Sequence, residues 1–183
     1  MGGRGMKHSY SFKKQQAWSH GKAINAGIES ILLEQIPSAA SVIVADPLAD
    51  WNGTDYWVER RNGRPLSVDA KIRSSDWASK GKDDLALEVW SVVERRTPGW
   101  TLNTEKQTDY ILWLWQDTGR WCLVPFPMLC RISQEHMEHW CRRYQTARQF
   151  TPDGNYHSEC VFVPRKTVWR ELQTRYGGEP KAV

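Results

Sequence analysis

Three side chains in the stretch Thr54–Arg73, TDYWVERRNGRPLSVDAKIR, have the types and spacing to do chemistry: Asp55, Asp69 and Lys71. Two carboxylates can hold a divalent cation through oxygen ligands and waters. An ammonium beside them can orient or deprotonate a water and stabilise negative charge as it develops on a reacting group. The chemistry requires all three on one surface.

A β-hairpin can provide that surface. Thr54–Arg60 is rich in aromatic and β-branched residues, Arg61-Asn62-Gly63 supplies a turn, and Pro65–Arg73 resumes as a strand. Side chains alternate with period two, so register decides whether the acids meet. A two-residue Asn-Gly loop pairs Tyr56 with Asp69 and sends Asp55 to the opposite face. A three-residue loop, with Gly63 left-handed in a G1 bulge, pairs Asp55 with Asp69. Asn followed by Gly suits either turn. Two unpaired carboxylates ~5 Å apart repel, an arrangement usually found around a cation. The expectation is the bulged register with a divalent metal.

Elements on either side must position this hairpin. Ala17, Ile24, Ile28, Ile31, Leu32 and Ile36 recur at helical spacing, so Ser11–Ile36 reads as a helix beginning properly near Lys22 and ending before Pro37. Glu29 borders its apolar stripe, a place that suits a glutamate reaching solvent. Ser41–Ala45 is a short strand, and Asp46 and Asp50 sit in the loop punctuation before the hairpin. After a polar loop, Leu85–Val93 (LALEVWSVV) is an apolar strand on which Ala86, Glu88, Trp90 and Val92 share a face. A buried Glu88 needs a partner: a cation shared with Asp69, or Lys71 or Arg95. Tyr110–Trp115 and Trp121–Val124 form a second hairpin. Met128–Arg148 reads as helical with a break near Ser133, a candidate N-cap. Cys160–Val163 is a strand and Arg165–Tyr176 a final helix. Together these predict an α/β domain with a central mixed sheet of about five strands, the first helix on one face and the C-terminal helices on the other. Residues 1–9 read as a disordered basic arm and 10–183 as a single domain.

The spacing Asp55–x13–Asp69–x–Lys71 resembles the core signature of the PD-(D/E)XK nuclease superfamily, the fold shared by many restriction enzymes, resolvases and recombination exonucleases. The familiar proline before the first aspartate is replaced by Thr54. Many members place a glutamate on the first helix, pointing at the metal; Glu29 matches it in order and spacing, with Glu34 as the substitute. A D-x-K strand, a polar loop and a strand bearing an acid also look like the layout of phage and restriction-type members, with Glu88 as that acid. The resemblance implies a restriction-endonuclease-like core and a metal-dependent DNA nuclease, endonuclease favoured over resolvase or exonuclease. It implies Mg2+, for which Mn2+ can substitute. Asp55, Asp69 and Glu88 would be the metal ligands, Lys71 the group beside the nucleophile and Glu29 part of the outer shell. A homodimer would explain double-strand cleavage.

The 183 residues carry a net charge of +4 and a sequence pI near 8.9, a mild basic bias compatible with nucleic acid. Lys106, Arg142, Arg143 and Arg148 are candidate phosphate contacts. No apolar run approaches the ~20 residues of a membrane helix and no export signal is visible, so a cytoplasmic setting with four reduced cysteines is expected. Readings from other classes are an inactive member that binds DNA, a protein–protein adaptor, and a zinc protein on His136 and His139.

Overall fold

A computed structural model describes residues 21–46, 48–49, 53–150, 155–177 and 181–182. The expected basic arm and the first half of the expected helix lie outside those residues, as does Asp50.

Helix α1 (Lys22–Gln35) follows an extended Gly21. It buries Ile28 and Leu32, with Ile36 just beyond its end, against Tyr56, Val58, Leu66, Val68, Leu112, Leu114 and Leu123. These partners come from strands β2 (Tyr56–Arg60), β3 (Leu66–Arg73), β6 (Tyr110–Trp115) and β7 (Trp121–Pro125). With β1 (Ala39–Val44) and a two-residue β10 (Lys181–Ala182) they form one mixed sheet in the order β1-β2-β3-β6-β7-β10. Its single parallel pair is β3 with β6, and the others are antiparallel. A parallel pair needs a long crossover. Residues 74–109 provide it.

That crossover carries a departure from the expected single sheet. The strand predicted at Leu85–Val93 forms as β4 (Asp84–Val92), but it joins a second, antiparallel sheet. Its order is β5-β4-β9-β8, from β5 (Thr97–Pro98), β8 (Thr146–Phe150) and β9 (His157–Pro164). Alternation along β4 drives Leu85, Leu87 and Val89 into the core between the sheets, where they meet Ile111, Trp113, Trp115, Cys122 and Val124. Helix α2 (Phe126–Arg143) and helix α3 (Arg165–Tyr176) complete that core with Leu129, Ile132, Trp140, Val168 and Leu172. Helices therefore flank both faces of the central sheet.

Helix α2 is unbroken, contrary to the break expected near Ser133. Pro127 falls in its first turn, where no helical N–H is lost. Ser133 is fully buried within it, in step with Leu129, Ile132 and Met137. Past Tyr144 the chain extends, so Arg148 lies on β8 and not on a helix.

Candidate active site

The β2–β3 ladder pairs Tyr56 with Val68 and Val58 with Leu66. This is the register of the bulged hairpin, and Gly63 has the left-handed φ of +100° that it requires. The regular ladder nevertheless stops at Val58–Leu66, so the connection is wider than a three-residue loop. Continued the other way, the register sets Asp55 across from Asp69. There the chain bends: the Asp55 amide donates to the Val68 carbonyl at 2.9 Å. The Asp55 carboxylate accepts the Ala70 N–H at 2.6 Å and lies within hydrogen-bonding reach of Asp69.

Tyr56, Val58, Leu66 and Val68 take the α1 face of the sheet, so Asp69 and Lys71, which alternate with them, take the face toward the second sheet. Asp69 is buried and Lys71 is half-buried. Each Asp69 oxygen faces a lysine. Lys71 Nζ stands 2.7 Å from Oδ1 and Lys106 Nζ 3.0 Å from Oδ2. The Oδ2 atom, although ion-paired, receives no well-aligned hydrogen bond among the described residues.

Proton affinities in the acid pair are pushed apart. Burial, and then the Asp69 charge, raise Asp55 to about 7 against the opposing Ala70 amide and Lys71. Burial also pushes Asp69 upward, but the two ammonium groups outweigh it and hold its carboxyl below the usual range. The pair thus keeps one proton toward neutrality, centred on Asp55. For Lys71, burial favours the neutral amine, yet Asp69, Asp55 and Glu88 prevail and raise its pKa.

Lys106, expected on the surface as a phosphate contact, is turned inward. Its side chain is 7% exposed, and its ammonium also donates to the Gly53 carbonyl at 3.0 Å. Attraction to the buried Asp69 carboxylate explains the difference. The same carbonyl accepts the Thr108 hydroxyl at 2.8 Å. Gly53 has φ +84°, and a Cβ there would lie 1.7 Å from Lys106 Nζ. The missing side chain is the space the ammonium uses. Asp109, absent from the sequence reading, holds the segment in place: it accepts the Ser67 N–H at 2.9 Å and a bidentate pair from Arg64. An aspartate immediately before a strand, one residue past a threonine, was the available signal.

Glu88 approaches from β4. Its Oε2 accepts the Trp100 N–H at 3.0 Å, and Gly99 lets the chain pass, since a Cβ there would meet the Glu88 carbonyl at 2.2 Å. Burial raises its pKa, with Lys71 and Lys106 acting in the opposite sense. The Trp100 ring lies 4.9 Å from Lys71 Nζ. Glu88 thus belongs to the electrostatic neighbourhood of Asp69, with one oxygen committed to Trp100.

The remaining candidates are placed elsewhere. Glu29 is exposed on α1, the helix that covers the opposite face of the sheet, so it is not brought to the acid pair. Asp46 caps its own loop, accepting the Leu48 and Ala49 amides at 2.9 Å each. Arg142 pairs with Glu138 at 3.1 Å and Arg148 with Glu159 at 3.2 Å, both exposed. Arg143 lines a cleft of about 710 Å³ between α2 and α3 together with Lys166 and Arg170. None of the three arginines meets Asp69.

Among the described residues, no three His, Cys, Asp or Glu side chains gather into a ready-made metal cage. The donor chemistry still fits a divalent ion: the register brings the Asp55 and Asp69 carboxylates together, and the buried Asp69 Oδ2 lacks an aligned donor. No family model, curated protein or solved structure matches the chain. No helix among the described residues is long and apolar enough to cross a membrane.

Proposed function

We propose that the protein is a metal-dependent DNA nuclease that hydrolyses phosphodiester bonds, with its centre at Asp55, Asp69 and Lys71. One observation carries the reading: the hairpin register puts both carboxylates together, with Lys71 beside them on the same face.

Asp55 and Asp69, with Glu88 or the Ala70 carbonyl, would hold Mg2+, for which Mn2+ would serve. When bound, that ion acidifies a coordinated water and neutralises charge on the phosphate. The remaining work falls to the chain. Ala70 N–H fixes the Asp55 carboxylate, so the pair keeps its spacing without a ligand. Lys71 is held as an ammonium by its acidic neighbours, so it enters as a cation and hydrogen-bond donor to a phosphoryl oxygen. Its side chain is 32% exposed and so within reach of substrate, whereas Asp69 and Lys106 are buried. Glu88, by holding the Trp100 amide, keeps the indole beside Lys71.

Arg142, Arg143 and Arg148 would contribute phosphate contacts away from the centre, and a homodimer would allow both strands to be cut. A second reading, a weak or inactive member that binds DNA or a protein, is favoured by one feature: both Asp69 oxygens already face lysines. Incubation with supercoiled plasmid, linear duplex, single strands and a four-way junction, with Mg2+ or with EDTA, separates the two. Cleavage that requires Mg2+ supports the nuclease, and binding without cleavage supports the inactive module.

A further inference from the structure

Lys106 reaches the acidic centre from a loop far from the hairpin in sequence. Its ammonium sits among a carboxylate oxygen at 3.0 Å, the Gly53 carbonyl at 3.0 Å and the face of Phe126, whose centroid is 6.0 Å away. Oxygen atoms of a carboxylate and a backbone carbonyl are also the donors that hard divalent cations take. The glycine at position 53 leaves room for the ammonium itself. Asp69 has two oxygens; Lys71 faces one and Lys106 the other, so a cation added at Asp69 must contend with a lysine. The Lys106 contact is the poorer of the two, at 3.0 Å and without an aligned hydrogen bond on Oδ2. A buried ion pair of imperfect geometry contributes little net stability.

We propose that Lys106 is a built-in competitor for the divalent ion: its ammonium occupies a cation position at Asp69 Oδ2, and ion binding displaces it. The inference rests on the metal-dependent reading of Asp55 and Asp69. Lys106 is here a positioning residue. While the site lacks an ion it holds the Asp69 carboxylate in place through the 3.0 Å contact, and it weakens affinity for the ion that replaces it.

The sign of one measurement separates competition from structural support. Mn2+ binding would be followed by calorimetry and by the electron paramagnetic resonance of free Mn2+, for the parent chain, Lys106→Met and Lys106→Gln, with circular dichroism confirming the fold. Competition predicts that both variants bind Mn2+ at least about tenfold more tightly than the parent, since a cation has been removed from the ligand oxygen. A residue that only supports the site would give equal or weaker binding on substitution, and that result overturns the proposal. If the methionine variant fails to fold, the glutamine variant carries the test. Absence of Mn2+ binding by parent and folded variants alike also overturns it. Unchanged affinity with intact Mg2+-dependent cleavage removes the competition and leaves the nuclease. Tighter binding without cleavage by any form keeps the competition and removes the nuclease.

Discussion

Gly53 and Lys106, 53 residues apart in the chain, meet carbonyl to ammonium at 3.0 Å, in the space a side chain at position 53 would fill. The contact ties the entry to the acidic hairpin to the loop that precedes β6. A methyl group at Gly53 would collide with Nζ and would also sit on a left-handed backbone. Gly53→Ala is therefore expected to lower stability by roughly 1–3 kcal/mol, most of it from the left-handed backbone and the displaced Lys106 ammonium. Gly81→Ala is the control: its φ is also positive, but a Cβ there meets open space, and the expected loss is about 1 kcal/mol. Urea titrations of the two variants check the difference.

Asp55 makes the stability of the ion-free protein depend on pH in a defined direction. Its folded-state pKa of about 7 lies above its ordinary value of 3.8, so between these limits the native state binds more protons than the unfolded chain. Its contribution is fully present below about pH 4 and is lost as pH rises through 7. Asp55→Asn removes that loss and keeps an acceptor for the Ala70 amide. In EDTA the variant is expected to exceed the parent by on the order of 1–3 kcal/mol above pH 7 and to lose that advantage near pH 4. Denaturant melts across that range test it.

Asp109 and Arg64 pair across the start of β6, but their substitutions differ in cost. Asp109 also accepts the buried Ser67 N–H, whereas Arg64 is largely exposed. Asp109→Ala leaves that amide without its acceptor and is expected to cost about 2–3 kcal/mol; Arg64→Ala should cost under about 1 kcal/mol. Thermal unfolding of both variants shows whether the ranking holds.

Glu29 and Glu88 are separated by the central sheet in their predicted effect on cleavage. Glu29→Gln, on the far face, should cleave within about twofold of the parent. Glu88→Gln, which removes a charge acting on Lys71 and alters the acceptor of the Trp100 amide, should lose roughly tenfold or more. Initial rates of plasmid nicking measure both.

These contrasts show what could be read from the sequence. The register of Asp55 and Asp69 was legible only in part: a period-two pattern with an Asn-Gly turn offered two pairings, the clustering of two acids favoured the one observed, and the wider connection beyond Val58–Leu66 was not foreseen. Strand β6 followed from the apolar and aromatic run YILWLW, helix α3 from the glycine that closes it and the main body of α1 from helical spacing. The partner of β4 did not, because apolar alternation fixes which side chains turn inward and not which sheet receives the backbone. Lys106 lay in the polar run NTEKQT and looked solvated, since closure onto Gly53 is a long-range event. The position of Glu29 was recoverable in part: apolar residues 56, 58, 66 and 68 alternate with 55, 69 and 71, so an amphipathic helix packed on the hairpin covers the face away from the acids.

Cleavage of DNA by the parent and by Lys71→Ala, side by side with Mg2+ and with EDTA, tests the central claim most directly. Lys71 is the partly exposed cation that would reach the phosphoryl oxygen. The expected result is cleavage by the parent that EDTA abolishes, and a rate at least about 100-fold lower in a folded variant that still binds DNA. Equal rates in parent and variant, or a parent that cuts none of the four substrate forms, would contradict the assignment.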